Sequence, residues 1–196
     1  NDAETLAARS PRITCTPAVA GAEKLADGDL ATFATLATGP AARLAPVQVD
    51  IELAAPLTAR SLQVFPTDEA FGADCELQAA DDTGKFQKVR QFKCDRSNPA
   101  IGTGFMPRGP VTIAIPATTS RHFRLVFSNF FGRGRRAELA EIDLSGAARL
   151  ESYIEKQLAK MHPTPLPLWD TYVWPAPVEP DSAKLAVPVA AVRNLS

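Results

Sequence analysis

Alternating apolar and polar residues run through the middle of the chain. In VQVDIEL, residues 47–53, every second residue is apolar and the residues between are polar. Strict alternation over this length predicts a β-strand with one buried face and one face in water. The same pattern recurs in SLQVF at 61–65 and in CELQAAD at 75–81. The turn residues DDTG, 81–84, lead from there into FQKVRQF, 86–92, and these two segments predict a β-hairpin.

One arm of this hairpin contains an irregularity. Phe86 and Val89 are both apolar but lie three positions apart, whereas successive residues of a strand face opposite sides. Either a β-bulge or an outward position for one of the two residues resolves the mismatch.

Three further alternating segments follow: GPVTIAIP at 109–116, RHFRLVFS at 121–128 and ELAEIDLSG at 138–146. About seven short strand segments therefore lie between residues 45 and 146, and no helix-length pattern separates them. Parallel strands need helical crossovers and are buried on both faces, so βαβ units are excluded. The pattern predicts an all-β fold, an antiparallel β-sandwich.

The pattern changes after this sandwich. RLESYIEKQLAKM, 149–161, has apolar residues at helical spacing and predicts a C-terminal amphipathic helix. Six prolines then lie within residues 163–180, a density that forbids helix and interrupts central strands. We interpret this part as a proline-rich extended segment that packs on a surface through Trp169 and Trp174, both tryptophans of the chain. The terminal KLAVPVAAVRNLS is one more strand candidate.

Composition and charge narrow the function classes. With 45% hydrophobic and 22% charged residues and a net charge of -1, the chain has no strong field for nucleic acid or a membrane surface. The two histidines and three cysteines include no C-x-x-C pair, so a zinc site lacks ligands. We interpret Cys15, Cys75 and Cys94 as small buried hydrophobes, with a Cys75–Cys94 disulfide as the alternative in an oxidising compartment.

The stretch LADGDLATF, 25–33, places Asp27 and Asp29 around one glycine. One interpretation is a tight turn, in which Gly28 adopts positive φ and the carboxylates cap backbone amides. A second interpretation is a metal loop. A catalytic pair fits poorly, because two carboxylates that cleave a glycosidic bond face each other across a cleft, about 5–10 Å apart.

Several of these segments, in this order, resemble the galactose-binding-like β-sandwich, also called the discoidin or coagulation factor type C domain. They are LADGDLATF, PLTARSLQVF, CELQAADDTGKF, SRHFRLVFSN and ELAEIDLSG, and together they cover about residues 25–146. With AEIDLSGAARLESYIEKQ and VPVAAVRNLS added, the chain is similar to the sandwich inserted into the catalytic barrel of glycoside hydrolase family 106 α-L-rhamnosidases. The resemblance implies a lead-in at 1–24, a jelly-roll sandwich at 25–148, and a segment at 149–196 that returns to a barrel outside this sequence.

The resemblance also implies a calcium ion where the first loop meets the last strand. Calcium binds six to eight oxygens from carboxylates and backbone carbonyls. The matching residues lie in the DGD turn and the AEI sequence: Asp27, Asp29, Thr32, Ala140 and Glu141. Such an ion would be structural and not catalytic. The chain departs from the family where Ala34 follows Phe33, because the family has a second aromatic residue there.

Two loops carry candidate carbohydrate-binding residues. SNFFGRGRRAE, 128–138, and GTGFMPRG, 102–109, combine aromatic rings with guanidinium groups, which suit a sugar or a uronate. The candidates are Phe105, Arg108, Phe130, Phe131 and Arg133. The alternative is that the phenylalanines pack on a neighbouring domain and the arginines are solvated. We interpret His122, which should face away from the core, and His162 as structural.

The resemblance implies a non-catalytic accessory domain of an α-L-rhamnosidase-like glycoside hydrolase. Its partners would be the catalytic barrel and rhamnose-containing glycan, with no nucleic acid and no membrane. No catalytic residue is assigned, because the family's acid and base carboxylates belong to the barrel. The alternative function is an independent carbohydrate-binding module that binds glycans through its end loops. The resemblance implies a periplasmic or extracellular location, although the opening NDAETLAARS shows no signal peptide.

Overall fold

The computed structural model describes residues 5–39, 44–67, 71–97, 109–132 and 135–151. Most of the regular structure in these residues is β-strand: β1 (Arg12–Thr16), β2 (Ala34–Thr38), β3 (Val47–Pro66), β4 (Gly72–Ala80), β5 (Phe86–Asp95), β6 (Val111–Phe131) and β7 (Arg136–Ser145). Two short 3₁₀ helices, Ala7–Arg9 and Ala22–Ala26, lie before and after β1.

The described strands form two layers that share their longest members. Every pairing is antiparallel, in the order β2-β7-β3-β6-β4-β5, and β1 pairs with β3. The first half of β3 pairs with β1 and with the second half of β6, which continues the layer to β4 and β5. The second half of β3 pairs with β7 and with the first half of β6. The predicted all-β, antiparallel sandwich is confirmed.

β3 joins two of the predicted segments, 47–53 and 61–65, into one strand. Its pairing with β6 shifts register twice, the second time between Ala59 and Ser61. The buried positions are odd-numbered up to Ala59 and even-numbered from Leu62 onwards. An extra residue in one strand reverses which residues face the core, so both halves of β3 keep their apolar residues inside.

β6 also joins two predicted segments, 109–116 and 121–128. In β5, the irregular spacing of Phe86 and Val89 is resolved both by a β-bulge and by an outward position of one residue. The pairing with β4 skips Val89, a bulge residue that packs against the core. Phe86 lies on the outer face, where the guanidinium of Arg124 is 4.0 Å from the centre of its ring.

One apolar cluster fills the space between the layers. Its fully buried members come from both layers: Ile51, Leu62, Leu77, Phe123, Leu125, Phe127, Leu139 and Ile142. Cys75 and Cys94 are buried in this cluster, which confirms their interpretation as small hydrophobes, while Cys15 is half-buried at its edge. The three cysteines, all within the described residues, form no disulfide.

Two strands precede the first predicted strand. β1 pairs with β3 and β2 pairs with β7, each at the margin of its layer. Apart from its first three residues, the helix predicted at 149–161 lies outside the described residues, as do the proline-rich segment and the terminal strand candidate. No helix in the described ranges is long and apolar enough to cross a membrane.

Candidate functional site

The DGD sequence forms a compact turn before β2. Asp27 accepts hydrogen bonds from the amide of Asp29 and the hydroxyl of Thr32, both at 2.8 Å. Asp29 in turn accepts one from the amide of Ala31 at 2.9 Å. Gly28 has a φ of 80°, which strains a residue with a side chain. The predicted tight turn is confirmed, because both carboxylates bind groups of their own loop.

Glu141 of β7 connects this turn to the sandwich. The pairing of β7 with β3 skips Ala140, and this bulge directs Glu141 away from the core. There the amide of Gly28 donates to both of its carboxylate oxygens, at 3.3 and 3.2 Å. Burial raises the pKa of Glu141 to about 7; the nearby carboxylates of Asp27 and Asp143 add to the rise, and the Gly28 amide opposes it.

The structure partly brings together the residues that match a calcium loop. Asp27, Asp29 and Thr32 share the turn, Glu141 contacts its backbone, and Ala140 is the bulge residue next to Glu141. Within the ranges that the structure describes, no three His, Cys, Asp or Glu side chains converge on one point. A cation here would therefore need hydroxyl and carbonyl oxygens besides carboxylates, a mixture that calcium accepts.

The two phenylalanines at the end of β6 face opposite sides. Phe130 packs inward on Phe71, with ring centres 6.5 Å apart. Asn129 has a φ of 48°, and the pairing of β6 with β4 shifts register beside it. Phe131 consequently lies on the outer face against Gly72, where a Cβ would be 2.3 Å from the ring. Any side chain at this position would require the ring to move.

Phe131 borders an open depression of about 570 Å³ on the outer face of β4, β5 and β6. We call it the outer-face groove. Most of its lining residues have polar side chains: Asp74, Glu76, Gln78, Gln91, Lys93, Ser128 and Asn129. Cys75, Phe92 and Val126 also contribute.

The end of the groove next to Phe131 has a defined polar arrangement. The ammonium of Lys93 lies 5.6 Å from the centre of the Phe131 ring and 3.4 Å from the carboxylate of Asp74. The side-chain amide of Asn129 donates to the same carboxylate at 3.0 Å. This hydrogen bond, together with Lys93, holds the pKa of Asp74 below its usual range. An aromatic ring beside a carboxylate, an amide and an ammonium group is suited to binding sugar hydroxyls.

A second carboxylate lies farther along the groove. Glu76 accepts hydrogen bonds from the side-chain amides of Gln78 at 2.7 Å and Gln91 at 2.8 Å. The ammonium of Lys88 lies 3.2 Å from the same carboxylate. The hydrogen bond from Gln78 is the main cause that lowers the pKa of Glu76. The network therefore holds two amide side chains in fixed positions at the surface.

Of the five predicted carbohydrate-binding residues, only two lie within the described residues. Phe131 borders the groove, and Phe130 packs on Phe71 at the edge of the core. Phe105, Arg108 and Arg133 lie outside the described residues. The polar residues of the groove were not predicted, because outward positions of the strands were treated as solvent-facing only. The available signal was the series of acids and amides at outward positions in both arms of the predicted hairpin.

His122 lies on the outer face, as predicted from its position in the strand. Its side chain is about half exposed, and Nε2 is 3.7 Å from the carboxylate of Glu52 on the neighbouring strand. The pair joins two adjacent strands, in agreement with a structural role.

Comparison with known proteins identifies the fold. No protein-family model and no curated protein match the chain. Among solved structures, the family 32 carbohydrate-binding module of NanJ from Clostridium perfringens, in complex with galactose, matches at 15% identity and a TM-score of 0.56, over 72% of this chain and 97% of the module. The CBM32 domain of AlyQ, in complex with 4,5-unsaturated mannuronic acid, matches at 14% identity and a TM-score of 0.53, over 69% of this chain and 95% of that domain.

A whole enzyme also contains a matching domain. The family 89 glycoside hydrolase of Clostridium perfringens matches at 18% identity and a TM-score of 0.51, over 74% of this chain and 15% of that enzyme. At these identities the similarity shows the fold. The chain therefore has the β-sandwich fold of family 32 carbohydrate-binding modules.

Proposed function

We propose that this chain is a non-catalytic accessory domain of a glycoside hydrolase and binds carbohydrate at the outer-face groove. The observation that carries the proposal is the Phe131 ring, held against Gly72 with Asp74, Lys93 and Asn129 beside it. Such a ring stacks on the apolar face of a sugar while the polar groups bind its hydroxyls. Solved modules of the same fold bind galactose and an unsaturated mannuronic acid, which supports carbohydrate as the ligand class.

We further propose that the parent enzyme is an α-L-rhamnosidase-like hydrolase whose catalytic barrel packs against this domain. The sequence resemblance supports this, and so do the two ends of the described sandwich. The amide of Leu6 donates to one carboxylate oxygen of Asp143 at 2.9 Å, and the guanidinium of Arg149 donates to the other at 3.4 Å. Chain ends that lie together suit a domain inserted in another. The parent would act on rhamnose-containing glycan in the periplasm or outside the cell.

An independent carbohydrate-binding module is the second candidate function. The groove favours it, because all of its lining residues belong to the sandwich itself. Deletion of residues 5–148 from the parent enzyme separates the two candidates. If the domain supports the barrel, its deletion should lower the melting temperature of the remaining enzyme. If it is an independent module, its deletion should leave that temperature unchanged.

We also propose a structural calcium ion at the DGD turn. Oxygen atoms of five residues would hold it: Asp27, Asp29, Thr32, Ala140 and Glu141. The buried carboxylate of Glu141, with its raised pKa and the carboxylate of Asp27 nearby, supports the proposal, because a cation would relieve the repulsion between them. Calcium would supply charge neutralisation and a link between the first turn and β7.

Electrophoresis in gels that contain galactan, rhamnan, alginate or pectin tests carbohydrate binding by the purified chain. We expect retardation in at least one gel and its loss in Phe131→Ala. Phe33→Ala is the matched control, because Phe33 is an aromatic residue on the DGD turn and is 43% exposed. Migration unaffected by all four polymers, or equal retardation of Phe131→Ala, would contradict the proposal.

A second assay tests the non-catalytic assignment. The purified chain should not hydrolyse 4-nitrophenyl α-L-rhamnoside, whereas the parent enzyme should. Turnover by the chain alone would show that its own residues perform the chemistry.

A further inference from the structure

We infer that the outer-face groove binds several consecutive residues of a neutral oligosaccharide, and not a single terminal sugar at Phe131. This inference rests on the proposed carbohydrate-binding function and adds the length and the charge of the ligand. Three features of the groove carry it: its extent along β4, the chemistry of its side chains and its balance of charges.

The extent of the groove is greater than one sugar ring. Asp74, Glu76 and Gln78 occupy successive outward positions on β4. Because a strand rises by about 3.3 Å per residue, these three positions span roughly 13 Å. Phe131 lies beyond the first of them, opposite Gly72. The polar surface that continues from the aromatic ring is therefore long enough for two or three linked pyranose rings, and it is open to solvent along its length.

The side chains in the distal part of the groove are suited to vicinal hydroxyl groups. Gln78 and Gln91 each donate one hydrogen bond to Glu76, which fixes their orientation. A carboxamide has two N–H donors and a carbonyl acceptor, so each amide has further capacity after this bond. Because the amides are already ordered by Glu76, binding a sugar would cost less side-chain entropy than ordering two mobile glutamines.

The charges in the groove favour a neutral ligand. The carboxylate of Asp74 is paired with Lys93, and that of Glu76 is paired with Lys88. On the next strand, the guanidinium of Arg124 is paired with Asp50 at 2.6 Å. Each of these three cations therefore already has a carboxylate partner, and an anionic sugar would have to compete with these carboxylates. A neutral glycan needs no such exchange, so the groove should discriminate against uronates.

Calorimetric titration with oligosaccharides of increasing length tests the inference. The ligands are the mono-, di-, tri- and tetrasaccharide fragments of whichever polymer, galactan or rhamnan, retards the chain more strongly. We expect the affinity to rise at least about tenfold from the monosaccharide to the trisaccharide. The double variant Gln78→Ala/Gln91→Ala should lose most of this rise.

Gln48→Ala is the matched control, because Gln48 is a half-buried glutamine on β3 in the same layer and outside the groove. It should leave every affinity unchanged. An affinity that does not depend on length, an unaffected double variant, or retardation by alginate or pectin alone would overturn the inference while the proposed function stands. Loss of the proposed function looks different: no fragment binds, or Phe131→Ala binds the monosaccharide as well as the unchanged chain.

Discussion

At the scale of single residues, Gly72 makes room for the Phe131 ring beside the groove. Its backbone is so close to Phe131 that a Cβ would lie 2.3 Å from the ring. We expect Gly72→Ala to destabilise the domain by about 1–3 kcal/mol, the usual cost of overpacking. Urea unfolding measures this cost. In a Phe131→Ala background the same alanine should be nearly neutral, and an equal cost with and without the ring would contradict the contact.

Two cysteines are predicted to resist modification in the folded chain. Burial, with a smaller contribution from Asp50, raises the pKa of Cys15 to about 11. Burial also raises the pKa of Cys75, and the neighbouring Cys94 adds to the rise. Since the thiolate is the reactive form, only about 0.1% of Cys15 is reactive at pH 8.

Iodoacetamide labelling followed by mass spectrometry checks this prediction. At pH 8 the folded chain should react slowly at both residues, and all three cysteines should react rapidly in guanidinium chloride. Rapid labelling of the folded chain at Cys15 would show that the thiol is neither desolvated nor close to Asp50.

At the scale of elements, alternation predicted the strand segments between residues 45 and 146, because in a strand with one buried face the apolar residues are the buried ones. It did not predict that 47–53 and 61–65 form one strand, since no residue type marks the bulge that reverses the buried face. It also missed β1 and β2. The inward residues of β1 are only partly buried, and a register shift between Thr35 and Ala37 interrupts the alternation of β2.

The candidate site was harder to predict than the strands. Phe131 was identified from its residue type. Its neighbours Asp74, Lys93 and Asn129 come from three different strands, and they meet because of the register of β4 against β5 and β6. Alternation indicates which face a residue occupies but not which residue lies opposite it, so this cluster required the structure.

The reversal of the buried face in β3 can be tested with two adjacent substitutions. Leu62 is fully buried, and Gln63 faces outward, where its amide donates to the hydroxyl of Thr112 at 3.0 Å. Leu62→Asp should cost about 4 kcal/mol or more, because it buries an unpaired charge. Gln63→Asp should cost about 1 kcal/mol, the value of one hydrogen bond. Thermal unfolding measures both, and a larger cost at Gln63 would contradict the register.

The link between the DGD turn and β7 predicts a specific pH dependence. Glu141 has a pKa of about 7 in the folded chain against an ordinary value of 4.5. Between these values the folded state keeps a proton that the unfolded state has lost. Without calcium, the stability that this residue contributes is therefore fully present below pH 4.5, falls as the pH rises towards 7 and is constant above that. The total loss is about 3 kcal/mol.

Thermal unfolding at pH 5, 6, 7 and 8, with EDTA or with calcium, measures this effect. Calcium should remove the fall, because the ion favours the ionised carboxylate. Glu141→Gln is the control: it should show neither the fall between pH 5 and 7 nor a response to calcium. If the unchanged chain and Glu141→Gln have the same pH profile in EDTA, the raised pKa is wrong; if calcium has no effect on the unchanged chain, the proposed ion is wrong.

At the scale of the whole molecule, the chain ends and the groove lie on different layers of the sandwich. The DGD turn and both ends of the described sandwich contact β7, through Glu141 and Asp143. The groove lies on the other layer, on β4, β5 and β6. A parent domain that is joined through those ends would therefore leave the groove open to solvent, as a carbohydrate-binding accessory domain requires.

The most direct test of the account is a map of where sugar binds. The chain, at 21.0 kDa, is small enough for backbone amide NMR spectra during titration with the trisaccharide fragment of the polymer that it binds. The account predicts that the largest shifts occur at Asp74, Glu76, Lys93, Asn129 and Phe131, and that the amides of the DGD turn stay unchanged. Shifts confined to the DGD turn, or no shifts at all, would contradict it.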